Sequence, residues 1–123
     1  MKSVFRKKFL ADYCSFYISG DHAAKIPVEV ERFGFWENAD CILVQCLPWN
    51  EGKTELTVIS DPSAFPSGPP ALDRSLPTPN NKVLFYDANY DLFEIAVPGG
   101  ASRIRIWTNY EQCPDKVTVA VGG

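Results

Sequence analysis

Two runs with the alternation of β-strands, Leu92-Phe93-Glu94-Ile95-Ala96-Val97 and Ser102-Arg103-Ile104-Arg105-Ile106-Trp107, flank the tripeptide Pro98-Gly99-Gly100. No helix passes through such a junction, because proline lacks the backbone donor and paired glycines carry no helix propensity. The two runs are therefore expected to fold back on each other as a β-hairpin over 92–107. Runs of the same kind recur at 10–18, 28–33, 41–47, Thr54–Ile59, Lys82–Tyr86 and Lys116–Val121. About eight strands and no sustained helical period specify an all-β protein, an antiparallel β-sandwich, with a small β-barrel as the alternative.

Within this pattern, 41–47 is apolar at nearly every position and reads as a central strand buried on both faces. Pro48-Trp49-Asn50-Glu51-Gly52-Lys53 is a turn by composition, so 41–59 is expected to form a second hairpin. Six of the ten prolines fall between positions 61 and 81. That density predicts a Pro-rich loop over 61–81, read as a crossover between two sheets, with room for a short helical turn at most. A chain of 123 residues suits one domain with one core, so 1–123 is expected to be a single β-sandwich domain.

The net charge of −3 is unevenly spread. Lys2, Arg6, Lys7 and Lys8 precede every acidic residue, and the rest of the chain carries eight basic against fifteen acidic groups, a balance of −7. Neutralising phosphates needs the opposite sign, so direct nucleic-acid binding is not expected and a basic protein partner is. No run of apolar residues approaches the length of a membrane span. The basic opening is interrupted by Asp12 with no apolar stretch behind it, so an export signal is not expected and the cytoplasm is the expected location. Cys14, Cys41, Cys46 and Cys113 lack metal spacing, and three of them lie in apolar runs, which reads as free thiols rather than disulfides.

Candidate chemistry is sparse. His22 is the single histidine, and the adjacency of Asp21 and His22 does not by itself set a catalytic geometry. With no second histidine, no nucleophile elbow and no metal signature, the chain does not read as an enzyme. Asp87, Asn89 and Asp91 place oxygen ligands at alternate positions, with Asp21 or Asp115 as additional donors, which makes calcium the one cofactor to consider. The rest of an EF-hand loop is absent, since Leu92 and Pro98 occupy the positions of its glycine and its bidentate acid. A calcium-dependent C2-like or lectin-like sandwich binding lipid or carbohydrate is thus the alternative function. Trp107 is expected in the core, whereas Trp36, Glu37, Asp40, Trp49 and Glu51 form a candidate partner-binding set of loop-borne aromatics and acids. Arg103 and Arg105 share a solvent face opposite Ile104 and Ile106, and are expected to pair with carboxylates such as Glu94.

Two segments carry a resemblance. Asp12-Tyr13-Cys14-Ser15-Phe16 in an early strand and the stretch from Leu92 through Pro98-Gly99-Gly100 to Ile106-Trp107-Thr108 are similar to the competence protein J family. That family inhibits a bacterial DNA-entry nuclease. The resemblance implies a small, acidic, cytoplasmic protein, a non-enzymatic inhibitor or immunity-type module that presents carboxylates and aromatics to a basic cleft. The region 36–81 has no counterpart in it, so inhibitor residues are not assigned by it.

Overall fold

The structure, a computed structural model, describes residues 4–27, 30–32, 34–110 and 112–122. Among the described residues eleven strands form in chain order: β1 Val4–Phe9, β2 Ser15–Ser19, β3 Val30–Arg32, β4 Phe35–Glu37, β5 Cys41–Gln45, β6 Thr54–Ile59, β7 Leu72–Thr78, β8 Lys82–Tyr86, β9 Asp91–Ala96, β10 Gly100–Thr108 and β11 Lys116–Val121. They make a five-stranded sheet, β1-β6-β11-β10-β7, and a six-stranded sheet, β3-β4-β5-β2-β8-β9. Among the described residues all pairings are antiparallel except β6 with β11. The two sheets stay separate rather than closing into a barrel, so the fold is an all-β sandwich.

Alternation sets the core. Phe16 and Ile18 of β2, Ile42 and Val44 of β5, and Val83 and Phe85 of β8 face Leu56 and Val58 of β6, Ile104 and Ile106 of β10, and the valines of β11. Burying these side chains, at about 1.5–3 kcal/mol each, is the main force holding the sheets together. β5 is central and nearly wholly buried, as its apolar run requires.

Several connections differ from expectation. The 92–107 segment is not a hairpin: β9 belongs to the six-stranded sheet and β10 to the five-stranded one, so Pro98-Gly99-Gly100 is a corner between sheets. The same holds for 41–59, whose β5 and β6 lie in different sheets. The hairpin partner of β9 is β8, and that of β10 is β11. Residues 10–18 do not form one strand either. β1 ends at Phe9, Leu10 is exposed, and a 3-10 turn at Asp12–Cys14 carries the chain to β2 in the other sheet. Phe33 and two residues of the 28–33 run, Val28 and Glu29, lie outside the described residues.

The 61–81 stretch is also not one loop, because β7 occupies Leu72–Thr78 with Pro77 inside it. β7 pairs only with β10 and forms a sheet edge, where a missing N–H breaks no ladder. The remaining connection, 60–71, does not join two sheets. It leads from β6 to β7 of the same sheet across its outward face, where Phe65 lies 4.7 Å under the Arg105 guanidinium and the Gly68 carbonyl accepts from Trp107 Nε1 at 3.3 Å. Trp107 is therefore a half-buried residue of the outward face and not of the core. The six-stranded sheet has a matching strap: residues 20–27 fold over its outward face, with the His22 ring 4.8 Å from that of Tyr86. Arg103 and Arg105 do point outward, but Arg103 pairs with Asp73 of β7 (2.7 Å) and Glu94 with Lys82 (2.9 Å). β9 and β10 are in different sheets, which puts Glu94 out of their reach.

Candidate partner-binding surface

Strand register brings four connections to one end of the sandwich. Phe9 pairs with Thr54, Ser15 with Gln45, Tyr86 with Asp91 and Thr108 with Val117, so 10–14, 46–53, 87–90 and 109–115 all emerge there. Backbone hydrogen bonds tie three of them together. Cys46 N donates to Cys14 O (2.8 Å), Leu47 N to Pro114 O (3.0 Å) and Glu55 N to Asp115 O (2.7 Å).

Each connection is locally specified and each presents an aromatic residue. Pro48 fixes the entry to the 3-10 turn Trp49–Glu51, closed by Gly52 at φ 140°, and Trp49 stands 58% exposed. Tyr13 and Cys14 both adopt left-handed φ, near 59° and 58°, which turns Tyr13 out to 78% exposure. Non-glycine residues adopt this conformation at a conformational cost, met here by the Cys14 N to Ala11 O bond and by the bond from Cys46. In 87–90, Asp87 Oδ1 accepts from the N–H groups of Asn89 (2.8 Å) and Tyr90 (2.7 Å), leaving Tyr90 69% exposed. In 109–115, Asn109 Nδ2 donates to Asp115 Oδ1 (2.6 Å) and Lys116 N to Asn109 Oδ1 (3.2 Å), beside Tyr110 at 64%.

The five residues singled out from the sequence are divided between the two ends of β5. Trp49 and Glu51, both exposed, lie beyond its Gln45 end. Trp36, opposite Leu43, is half-buried and shares with Tyr13, Tyr17 and Gln45 a shallow hollow of about 290 Å³. Glu37, the last residue of β4, is paired with Ile42 near the Cys41 end, and Asp40 lies beyond that end. Glu37 is ion-paired with Arg74 at 3.3 Å, and Asp40 is exposed in a turn organised by Asn38, whose Oδ1 accepts from the N–H groups of Asp40 and Cys41. The exposed tyrosines 13, 90 and 110 did not emerge from sequence reasoning. Their signal was an aromatic residue set among Asp, Asn and Glu at strand ends.

Each of the four aspartates considered as calcium ligands has one oxygen engaged within the fold. One Asp87 oxygen holds the turn as described, and Asp91 Oδ1 lies 2.9 Å from His22 Nε2. Asp21 Oδ1 accepts from Ala23 N, and Asp115 Oδ1 from Asn109. Among the described residues no three His, Cys, Asp or Glu side chains are grouped so as to hold a metal ion. The four cysteines are free thiols. Burial pushes the Cys41 thiol up to about 11 and that of Cys46 to about 12, which leaves both protonated and poor nucleophiles at neutral pH. No helix among the described residues is long and apolar enough to cross a membrane.

Fold and surface together define a two-sheet β-sandwich with strapped outer faces and an aromatic loop end. No family model matches the sequence, nor does any curated protein. Among solved structures, the chain is similar in fold to ComJ from Bacillus subtilis, an inhibitor of the DNA-degrading activity of NucA, with a TM-score of 0.71 and 13% identity over 99% of this chain and 97% of that one. The structure of crocagin biosynthetic gene J matches with a TM-score of 0.48 and 11% identity over 98% and 95%. The likeness to ComJ agrees, at the level of the fold, with the resemblance carried by 12–16 and 92–108.

Proposed function

We propose that this chain is a non-enzymatic protein-binding module of inhibitor type, which blocks a basic partner such as a nuclease. The observation that carries the reading is the fold likeness to ComJ over nearly the whole of both chains. Charge supports it: outside the first eight residues the balance is −7, and a nuclease cleft is positive because it holds phosphates. An acidic protein approaching such a cleft gains association rate by electrostatic steering. Trp49 and Glu51 are the residues of the original candidate set best placed to act together, one as a rigid apolar anchor and the other as a carboxylate beside it.

The test is degradation of duplex DNA by NucA with increasing amounts of the purified chain, together with affinity capture from the native lysate in moderate and high salt. Suppressed degradation, or one stoichiometric basic protein released by salt, is the expected result. Unimpeded degradation together with no stoichiometric partner at either salt would overturn the reading.

A further inference from the structure

We infer that the docking surface is the loop end of the sandwich, with Tyr13, Trp49, Tyr90 and Tyr110 as anchors for a protein face rich in lysine and arginine. This rests on the inhibitor reading for its biological meaning, but the surface is argued from placement. Six large hydrophobic residues are exposed among the described ones, and five of them, these four aromatics and Leu10, lie on the four connections at that end. Ile26, on the strap over the six-stranded sheet, is the sixth. Tyrosine and tryptophan bury a large rigid area at small entropic cost and keep one polar atom each, which is why they concentrate in protein contacts. The left-handed backbone at Tyr13 and Cys14 holds one such ring outward where a relaxed turn would not.

Charge selects the occupant. Among the residues whose side chains the structure describes, the connections 10–14, 46–53, 87–90 and 109–115 carry Glu51, Asp87 and Asp115 against one cation, Lys53. Lys8 and Lys116, at the adjoining strand ends, both stand in register with Glu55 on β6, and Asp91 opposite Tyr86 is a second carboxylate there, so the strand ends add no net charge. A second copy of the chain would bring the same negative loops against themselves, and a nucleic acid has the wrong sign. A cationic protein face satisfies both features, since guanidinium groups stack on tyrosine and tryptophan rings and pair with carboxylates. The row Arg6, Lys7 and Lys8 on the edge strand β1 excludes such a partner from that side.

A nona-arginine peptide titrated into the 15N-labelled full chain tests this. Amide shifts confined to the four connections, weakened at least about tenfold by Tyr13→Ala with Trp49→Ala or by Glu51→Lys, and unchanged by Asp40→Asn, are expected. Loss of the shifts at about 0.5 M salt is also expected. Absence of binding at low salt, or shifts centred on the straps or on the Cys41 end of β5, would overturn the surface. Peptide mapping to the loop end while NucA is not inhibited and no partner is captured would remove the inhibitor reading alone. Inhibition that survives the Tyr13/Trp49 double variant, confirmed folded by its urea midpoint, would remove the surface alone.

Discussion

Arg74 of β7 reaches from one sheet to the other to meet Glu37 of β4, Nη1 to Oε1 at 3.3 Å, in a setting where both side chains are mostly buried. The same guanidinium donates to the carbonyls of Asn38 (2.7 Å) and Ala39 (2.9 Å), so one side chain fastens the β4–β5 turn to an edge strand. The clamp sits at the end of β5 away from the aromatic loops and helps hold the sandwich on which they are mounted.

Arg74→Ala is expected to lower stability by about 2 kcal/mol, since charge-assisted hydrogen bonds are lost from a part-buried site. Arg74→Lys keeps the cation but not the fork, and should recover only part of that loss. Urea unfolding measures both. An alanine variant as stable as the parent would show that the clamp contributes nothing.

The strands were far more legible than the sheets they join. β8 and β11 lie where alternation placed them, because period two states which side chains are buried. It does not state the partner strand, and Pro98-Gly99-Gly100 suits a hairpin turn as well as a corner between sheets. The corner is held by tertiary contact: Val97 N donates to Asn81 O (3.0 Å), in the β7–β8 turn that also crosses between the sheets. Pro77 misled for a related reason, because a proline forbidden inside a sheet is tolerated on an edge, and edges are a property of the assembled fold. Trp49 was legible as an exposed turn aromatic from its neighbours alone. The contact between His22 and Asp91 was not, since 69 residues separate them.

Gly20 provides a second test of the packing. A Cβ there would run into the Pro77 carbonyl of β7, and neither side of that contact is a flexible side chain. Gly20→Ala should therefore destabilise by about 1–3 kcal/mol through overpacking. Gly68→Ala is the informative comparison. Its Cβ would meet open space, so only the left-handed backbone, at φ 91°, is penalised, by about 1 kcal/mol. Equal urea midpoints for the two variants would contradict the close approach at Gly20.

Asp87 distinguishes a structural turn from a metal ligand. Its Oδ1 accepts two backbone hydrogen bonds, an arrangement that an asparagine oxygen reproduces without charge. Asp87→Asn should be nearly neutral, whereas Asp87→Ala should cost about 1–2 kcal/mol. Millimolar calcium is expected to leave the melting temperature of the parent unchanged. A calcium-dependent rise, abolished in Asp87→Asn, would instead establish ligand linkage at this turn.

The buried thiols give the chain a defined alkaline weakness. In the unfolded chain a cysteine ionises near 9.0, whereas in the folded chain burial holds Cys41 protonated to about 11 and Cys46 to about 12. Below about pH 9 both states bind these protons and the thiols contribute no pH dependence. Above it the unfolded state binds fewer protons than the folded one, so stability falls as pH rises. Burial raises the Tyr86 hydroxyl as well and acts in the same direction. The urea midpoint should accordingly drop between about pH 9 and about pH 11, and the drop should shrink in Cys46→Ala. The same burial orders reactivity toward a thiol reagent at neutral pH: exposed Cys113 should be modified first, with Cys41 and Cys46 protected until the chain unfolds. Rapid modification of all four thiols in the folded protein would mean that the packing around Cys41 and Cys46 opens easily, which would undercut the rigid mounting of the aromatic loop end.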